Sequence, residues 1–97
     1  MHNTICEAIR TQRLVEFDYH GRRRLVAPYC HGISSRGKEV LRGVQVAGAS
    51  NSGGLGFGKL WLVEEMSELK LTGSAFSPDD PQYNPGDSAM IQIHCRV

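Results

Sequence analysis

Residues 14–29, LVEFDYHGRRRLVAPY, hold the reading on which the fold depends. From Leu14 the apolar positions recur every second residue: Val15, Phe17 and Tyr19 share one side, and Leu14, Glu16, Asp18 and His20 share the other. That period belongs to a half-buried β-strand. Gly21 marks a tight turn, and RRLVAPY reads as the returning strand of a hairpin, with Pro28 predicting an edge position or a bulge. Arg22, Arg23 and Arg24 occupy the shoulder of that hairpin. The strand period sends Arg22 and Arg24 to one face and Arg23 to the other, so the run does not form one flat basic patch.

Upstream of the hairpin, Asn3 or Thr4 offers a helix cap, Glu7 stands three residues after Thr4 as in a capping box, and Ile5, Ala8 and Ile9 fall on one face. The spacing predicts one short helix ending near Thr11. Downstream, SSRG is a turn and EVLRGVQVAG a third strand, with Val40, Val44 and Val46 on one face and Arg42 on the same side. An arginine among inward valines requires a partner, a ligand or an exit to water. A glycine-rich connection, ASNSGGLGFG, leads to the apolar KLWLV, and a charged bend precedes a strand near Leu69–Thr72. The proline-rich SPDDPQYNPGD predicts an extended surface loop. At the end of the sequence, Ile91, Ile93, Cys95 and Val97 alternate with Gln92, His94 and Arg96.

One helix followed by five or six short strands in 97 residues predicts a mainly β fold, a small, strongly bent antiparallel sheet or barrel. Closure would remove exposed sheet edges. A chain of this length suits one domain with a small core. Residues 1–76 make up the expected barrel, and residues 77–97 its proline-rich loop and last strand. No apolar run approaches the ~20 residues of a membrane span, so a soluble cytoplasmic protein without membrane contact is expected. Three cysteines without motif spacing argue against a disulfide scaffold and fit reduced thiols. Residues 1–50 carry eight Lys/Arg against four Asp/Glu, whereas residues 51–97 carry three against six. An anionic partner is therefore sought in the first half.

The order AIR…LVEFDYHGRRRLVAP…GKEVLRGVQV…KLWLVEEMSELKLT…F resembles the WYL domain, a bacterial module usually found behind a DNA-binding helix-turn-helix. The likeness runs from about Ile5 to Phe76. It rests on Ala8-Ile9, Phe17-x-Tyr19-x-Gly21, Arg24-x-Val26-x-Pro28, Gly37-Lys38 and Lys59-x-Trp61. The resemblance implies an Sm-like or SH3-like barrel with a leading helix. It also implies a role in sensing ligands, often nucleic acid or nucleotides, in transcription regulation or phage defence. The Trp-Tyr-Leu triplet that names the family falls on Glu39, Val40 and Leu41, which retains only Leu41. A first family arginine becomes Lys59, and a second falls on Glu65, reversing its charge.

Arg24, at the matching family position, is the preferred anion contact, because a guanidinium recognises phosphate in a planar, bidentate manner. Arg42 and Lys59 are its candidate companions, with Tyr29 or Tyr19 as a stacking platform. The bland alternative is a solvated hairpin and separate surface charges over core tyrosines. Adjacent Cys30-His31 and His94-Cys95 each give one ligand per strand face, and Cys6 would complete a set of three. Without C-x-x-C spacing, buried cysteines and surface histidines are the simpler reading, and neither metal nor cofactor is expected. GGLGFGK lacks the Gly-Lys-Ser/Thr ending of a phosphate loop, and Glu64-Glu65 is not an acid pair. No catalytic motif is visible, so the expected function is non-enzymatic. It is binding of a nucleotide or single-stranded nucleic acid, or alternatively a protein-interaction or oligomerisation module whose ligand site has decayed. In the second case MIQIHCRV would add to a partner's sheet.

Overall fold

In the computed structural model, which describes residues 2–48, 56–78 and 90–97, the chain is mainly β with one N-terminal helix. The elements are α1 (His2–Thr11), β1 (Arg13–Tyr19), β2 (Arg22–Ser34), β3 (Glu39–Gly48), β4 (Gly56–Leu62), a 3-10 turn (Val63–Glu65), β5 (Met66–Ala75) and β6 (Met90–Arg96). Six antiparallel strands form one open sheet in the order β4-β3-β2-β1-β5, and β6 pairs with β2. None of the helices among the described residues is long and apolar enough to cross a membrane. The glycine-rich residues 49–55 and the proline-rich residues 79–89 lie outside the described residues.

The opening hairpin forms as its sequence dictates. Tyr19 pairs with Arg22 around His20 and Gly21, whose φ values of 51° and 76° are the two positive angles of a type I′ turn. β2 is the organising strand. Its first half pairs with β1, its second half with β6, and most of its other edge with β3. The β2–β3 register shifts between Pro28 and Cys30, so Pro28 is accommodated by a bulge inside the sheet, where it bends the strand. Opposite it stands Gly43, where a Cβ would lie 2.6 Å from the Ala27 carbonyl oxygen. That close approach of two backbones excludes any larger residue.

Bending wraps the sheet around one main core. Ile5, Ala8 and Ile9 of α1 pack on Val15, Phe17, Tyr19, Val26, Leu41, Trp61, Val63 and Met66. Phe17, Tyr19 and Trp61 meet edge to face, with centroids 5.0–6.1 Å apart, the geometry ring quadrupoles favour. The ladder itself does not close among the described residues: β4 and β5 stand at its two ends, joined through the 3-10 turn. Smaller clusters lie elsewhere, one around Leu14, Ala27 and Tyr29 and one around Cys30, Val40 and Met90.

Three local expectations are corrected. The helix begins at His2, which places Thr4 within it. On β3 the inward valine face does not hold: Leu41 is buried as well as Val40, and beyond the register shift between Gly43 and Gln45 it is Gln45 that is buried and Val46 exposed. Cys6 and Cys95 are not separate reduced thiols but are joined by a disulfide, their Cα atoms 5.7 Å apart and 89 residues apart in sequence. α1 and β6 flank the same half of β2, so the sheet brings together two cysteines whose spacing carries no motif. Cys30 is buried and takes no part in that disulfide.

Candidate functional site

The three arginines of the hairpin meet three different fates. Arg22 is exposed beside the turn. Arg23 lies 3.1 Å from both Glu16 and Asp18, and its Nη1 also donates to the Glu68 carbonyl. Those carboxylates, Asp18 first, raise its pKa further. Arg24 turns inward and is only 3% exposed. Its Nη2 donates to the Tyr19 carbonyl at 3.1 Å, and its guanidinium carbon lies 5.7 Å and 5.3 Å from the ring centres of Tyr19 and Trp61. Its Nε has no hydrogen-bond partner among the described residues. Burial, followed by the charge of Arg22, lowers the Arg24 pKa, the direction desolvation imposes on a cation.

Arg24 is therefore a buried cation held over aromatic rings, and it does not share a pocket with Arg42. Trp61 pairs with Leu41 on the main-core face, and Arg42, next along β3, points to the opposite face with its partner Leu60. Tyr29 is buried, tilted against Phe76 with centroids 5.5 Å apart, and offers no open stacking surface. Tyr19 is also in the core; its hydroxyl accepts the Leu62 N–H at 3.1 Å, and His20 stacks on its ring. Lys59 pairs with Gly43 through the backbone, and its side chain lies outside the described residues.

The accessible basic site lies elsewhere on the face of Arg42. A cleft of about 380 Å³ opens between the β2–β3 turn and β4, lined by Ser34, Ser35, Arg36, Lys38, Val40, Leu60 and Leu62. The turn is firmly built. Ser34 N–H donates to the Lys38 carbonyl at 2.8 Å, Gly37 N–H to the Ser34 carbonyl at 2.9 Å, and the Ser34 hydroxyl accepts from the Arg36 and Lys38 amides. Gly37 has φ 77°, which a side chain would strain. The cleft thus joins an apolar floor, Val40, Leu60 and Leu62, to a rim carrying two cations. Lys38 Nζ lies 3.1 Å from a Glu64 carboxylate in an exposed pair of the kind an incoming anion displaces at little cost. Reading SSRG simply as a turn missed this rim; the visible signal was Arg36 and Lys38 bracketing Gly37 beside two hydroxyls.

A second cluster joins the opposite face of β2 to α1. His31 is fully buried, its Nδ1 3.9 Å from Cys6 Sγ and its Nε2 2.6 Å from a Glu39 carboxylate oxygen. Cys95 is the register partner of His31, and one ligand atom from each of Cys6, His31 and Cys95 falls within 4.8 Å of the others. Cys30 lies elsewhere, its thiol 3.6 Å from the Met90 sulfur, and His94 meets His31 ring to ring at 5.1 Å.

In comparison with known proteins, the chain matches no family model, no curated protein and no solved structure.

Proposed function

We propose that the protein is a non-enzymatic binding module for a nucleotide or a single-stranded nucleic acid, and that the cleft beside the β2–β3 turn is its site. The observation that carries this reading is the pairing of an apolar floor with a cationic rim in one open cleft. Arg36 and Lys38 take the phosphate, with Arg42 on the same face, and Val40, Leu60 and Leu62 cover a base. The basic balance of residues 1–50 and the WYL-like order of the strands support the same reading, including a role in transcription regulation or phage defence. Arg24 supports the site only indirectly, by holding Tyr19 and Trp61 beneath the strands that carry it.

Fluorescence polarisation with a labelled single-stranded oligonucleotide at two salt concentrations tests the proposal. Binding should weaken steeply with salt, and replacing both Arg36 and Lys38 by Ala should reduce affinity and flatten the salt dependence. Glu64→Gln, which releases Lys38, should tighten binding. Salt-independent binding, or binding unaffected by the double replacement, would rule out this cleft.

A second reading, oligomerisation or partner binding through β6, is favoured by Ile91, which is 70% exposed on that strand. Light scattering on the full chain and on Ile91→Glu distinguishes it: a self-associating species that Ile91→Glu converts to monomer supports this second reading.

A further inference from the structure

We propose that Cys6, Cys95 and His31 form a zinc site when the disulfide is reduced, and that the disulfide is the metal-free, oxidised state of the same site. The setting of His31 carries the proposal. A disulfide is apolar and needs no polar neighbour, yet a fully buried imidazole is aimed at it and anchored from behind by a carboxylate. With Glu39 accepting the Nε2 proton at 2.6 Å, the Nδ1 lone pair faces Cys6 Sγ. This is the carboxylate–histidine–metal order in which an outer carboxylate fixes the tautomer and raises the basicity of the ligand nitrogen.

The distances suit the ion. Zinc bonds of about 2.3 Å to sulfur and about 2.0–2.1 Å to nitrogen place tetrahedral ligand atoms roughly 3.6 Å apart. Cys6 Sγ and His31 Nδ1 are already 3.9 Å apart, and all three ligand atoms fit within 4.8 Å. The two sulfurs must separate, and the remaining adjustments are about 1 Å or less. Two thiolates and one imidazole are a borderline-soft donor set that favours zinc over calcium or magnesium. The half-buried Cys95 marks the side from which the ion enters, and a water molecule completes the tetrahedron there.

The chemistry balances with a dithiol as reductant. The dithiol gives two electrons and two protons to the Cys6–Cys95 bond and becomes a cyclic disulfide; Zn²⁺ then displaces one proton from each cysteine thiol. A small-molecule disulfide as oxidant reverses both steps: it takes two electrons from the thiolates and, with two protons from solvent, becomes two thiols, while the Cys6–Cys95 bond re-forms and Zn²⁺ leaves. The site thus reports thiol redox state as metal occupancy. Because zinc joins α1 to β6 as the disulfide does, both states tether the two elements to each other.

The test uses the full chain, oxidised or reduced with dithiothreitol and then freed of it under anaerobic conditions. Reduced protein should take up one equivalent of zinc in equilibrium dialysis, and oxidised protein none. Cobalt substitution should give the thiolate charge-transfer bands of a tetrahedral site. Cys95→Ser should abolish the one-equivalent uptake, and Glu39→Gln should weaken it roughly 10–100-fold while leaving the cobalt spectrum tetrahedral. His31→Asn should lose the nitrogen ligand. Should that variant fail to fold, alkylation of reduced wild-type protein decides instead: zinc must slow the reaction of Cys6 and Cys95 together. Reduced protein that binds no zinc, equal uptake by oxidised protein, undiminished binding by Cys95→Ser, or unprotected cysteines would each overturn the proposal.

Discussion

At the residue scale, Arg24 shows how a turn-like motif becomes a core element. Its guanidinium sits against Tyr19 and Trp61 with no carboxylate among its described contacts, so its stability contribution lies in packing and in one charge-assisted hydrogen bond. Removing a buried charge while keeping its volume relieves desolvation. Arg24→Met should therefore change unfolding free energy by less than about 1 kcal/mol, whereas Arg24→Ala, which leaves a cavity, should cost about 2–4 kcal/mol in urea denaturation. Beside it, burial raises the Tyr19 pKa above 10.0, followed by the opposing Leu62 hydrogen bond and then the charge of Glu65. The folded state keeps the phenolic proton that the unfolded chain releases. The resulting stability is complete below pH 10.0 and is lost as pH rises towards the folded value. Tyr19→Phe should lose about 1 kcal/mol near neutrality, from the hydrogen bond to Leu62, and should remove that alkaline decline. The pattern of LVEFDY put Tyr19 on one side with Val15 and Phe17; that this side is the core, and that Arg24 follows it there, came from the packing.

At the element scale, β2 sets the geometry because it is shared. It is long enough to pair with β1 and β6 in succession along one edge, and Val97 N–H donates to the Tyr29 carbonyl at 2.9 Å where the two partners meet. Gly32 permits the second pairing: a Cβ there would run into the Gln92 carbonyl. Gly32→Ala should therefore push β6 away from β2, destabilise the fold by about 2 kcal/mol or more, and speed amide exchange selectively over Ile91–Val97. The hairpin and its tight turn were legible because Gly21 interrupts two runs of clear period, whereas the positive φ of His20 that makes the turn type I′ was not. The inward face of β3 was less legible. A register shift between Gly43 and Gln45 breaks the alternation that a valine pattern presumes. The cleft was hidden for a related reason: Arg36 and Lys38 lie on a turn, whereas Val40, Leu60 and Leu62 come from two strands whose pairing defines the floor.

At the scale of the whole molecule, α1 and β6 enclose opposite ends of the chain around one half of β2, and the Cys6–Cys95 bond ties them. A cross-link spanning 89 residues restricts the unfolded chain strongly. Cys95→Ser should lower stability by about 2–5 kcal/mol, measured by thermal or denaturant unfolding without reductant. Local periodicity determined the helix, the hairpins and a mainly β, bent architecture, because each depends on neighbours a few residues apart. The division of Arg22, Arg23 and Arg24 between faces was likewise written in the strand period. Only the tertiary structure decided that Arg24 is buried, that Arg42 belongs to another face, and that Cys6, His31 and Cys95 converge. Glu39, which departs from the resembled WYL triplet, gains its role there as the carboxylate behind His31. Such contacts join residues from distant parts of the chain, and their distances follow from bulges, strand sharing and closure around a core, none of which has a fixed spacing in sequence.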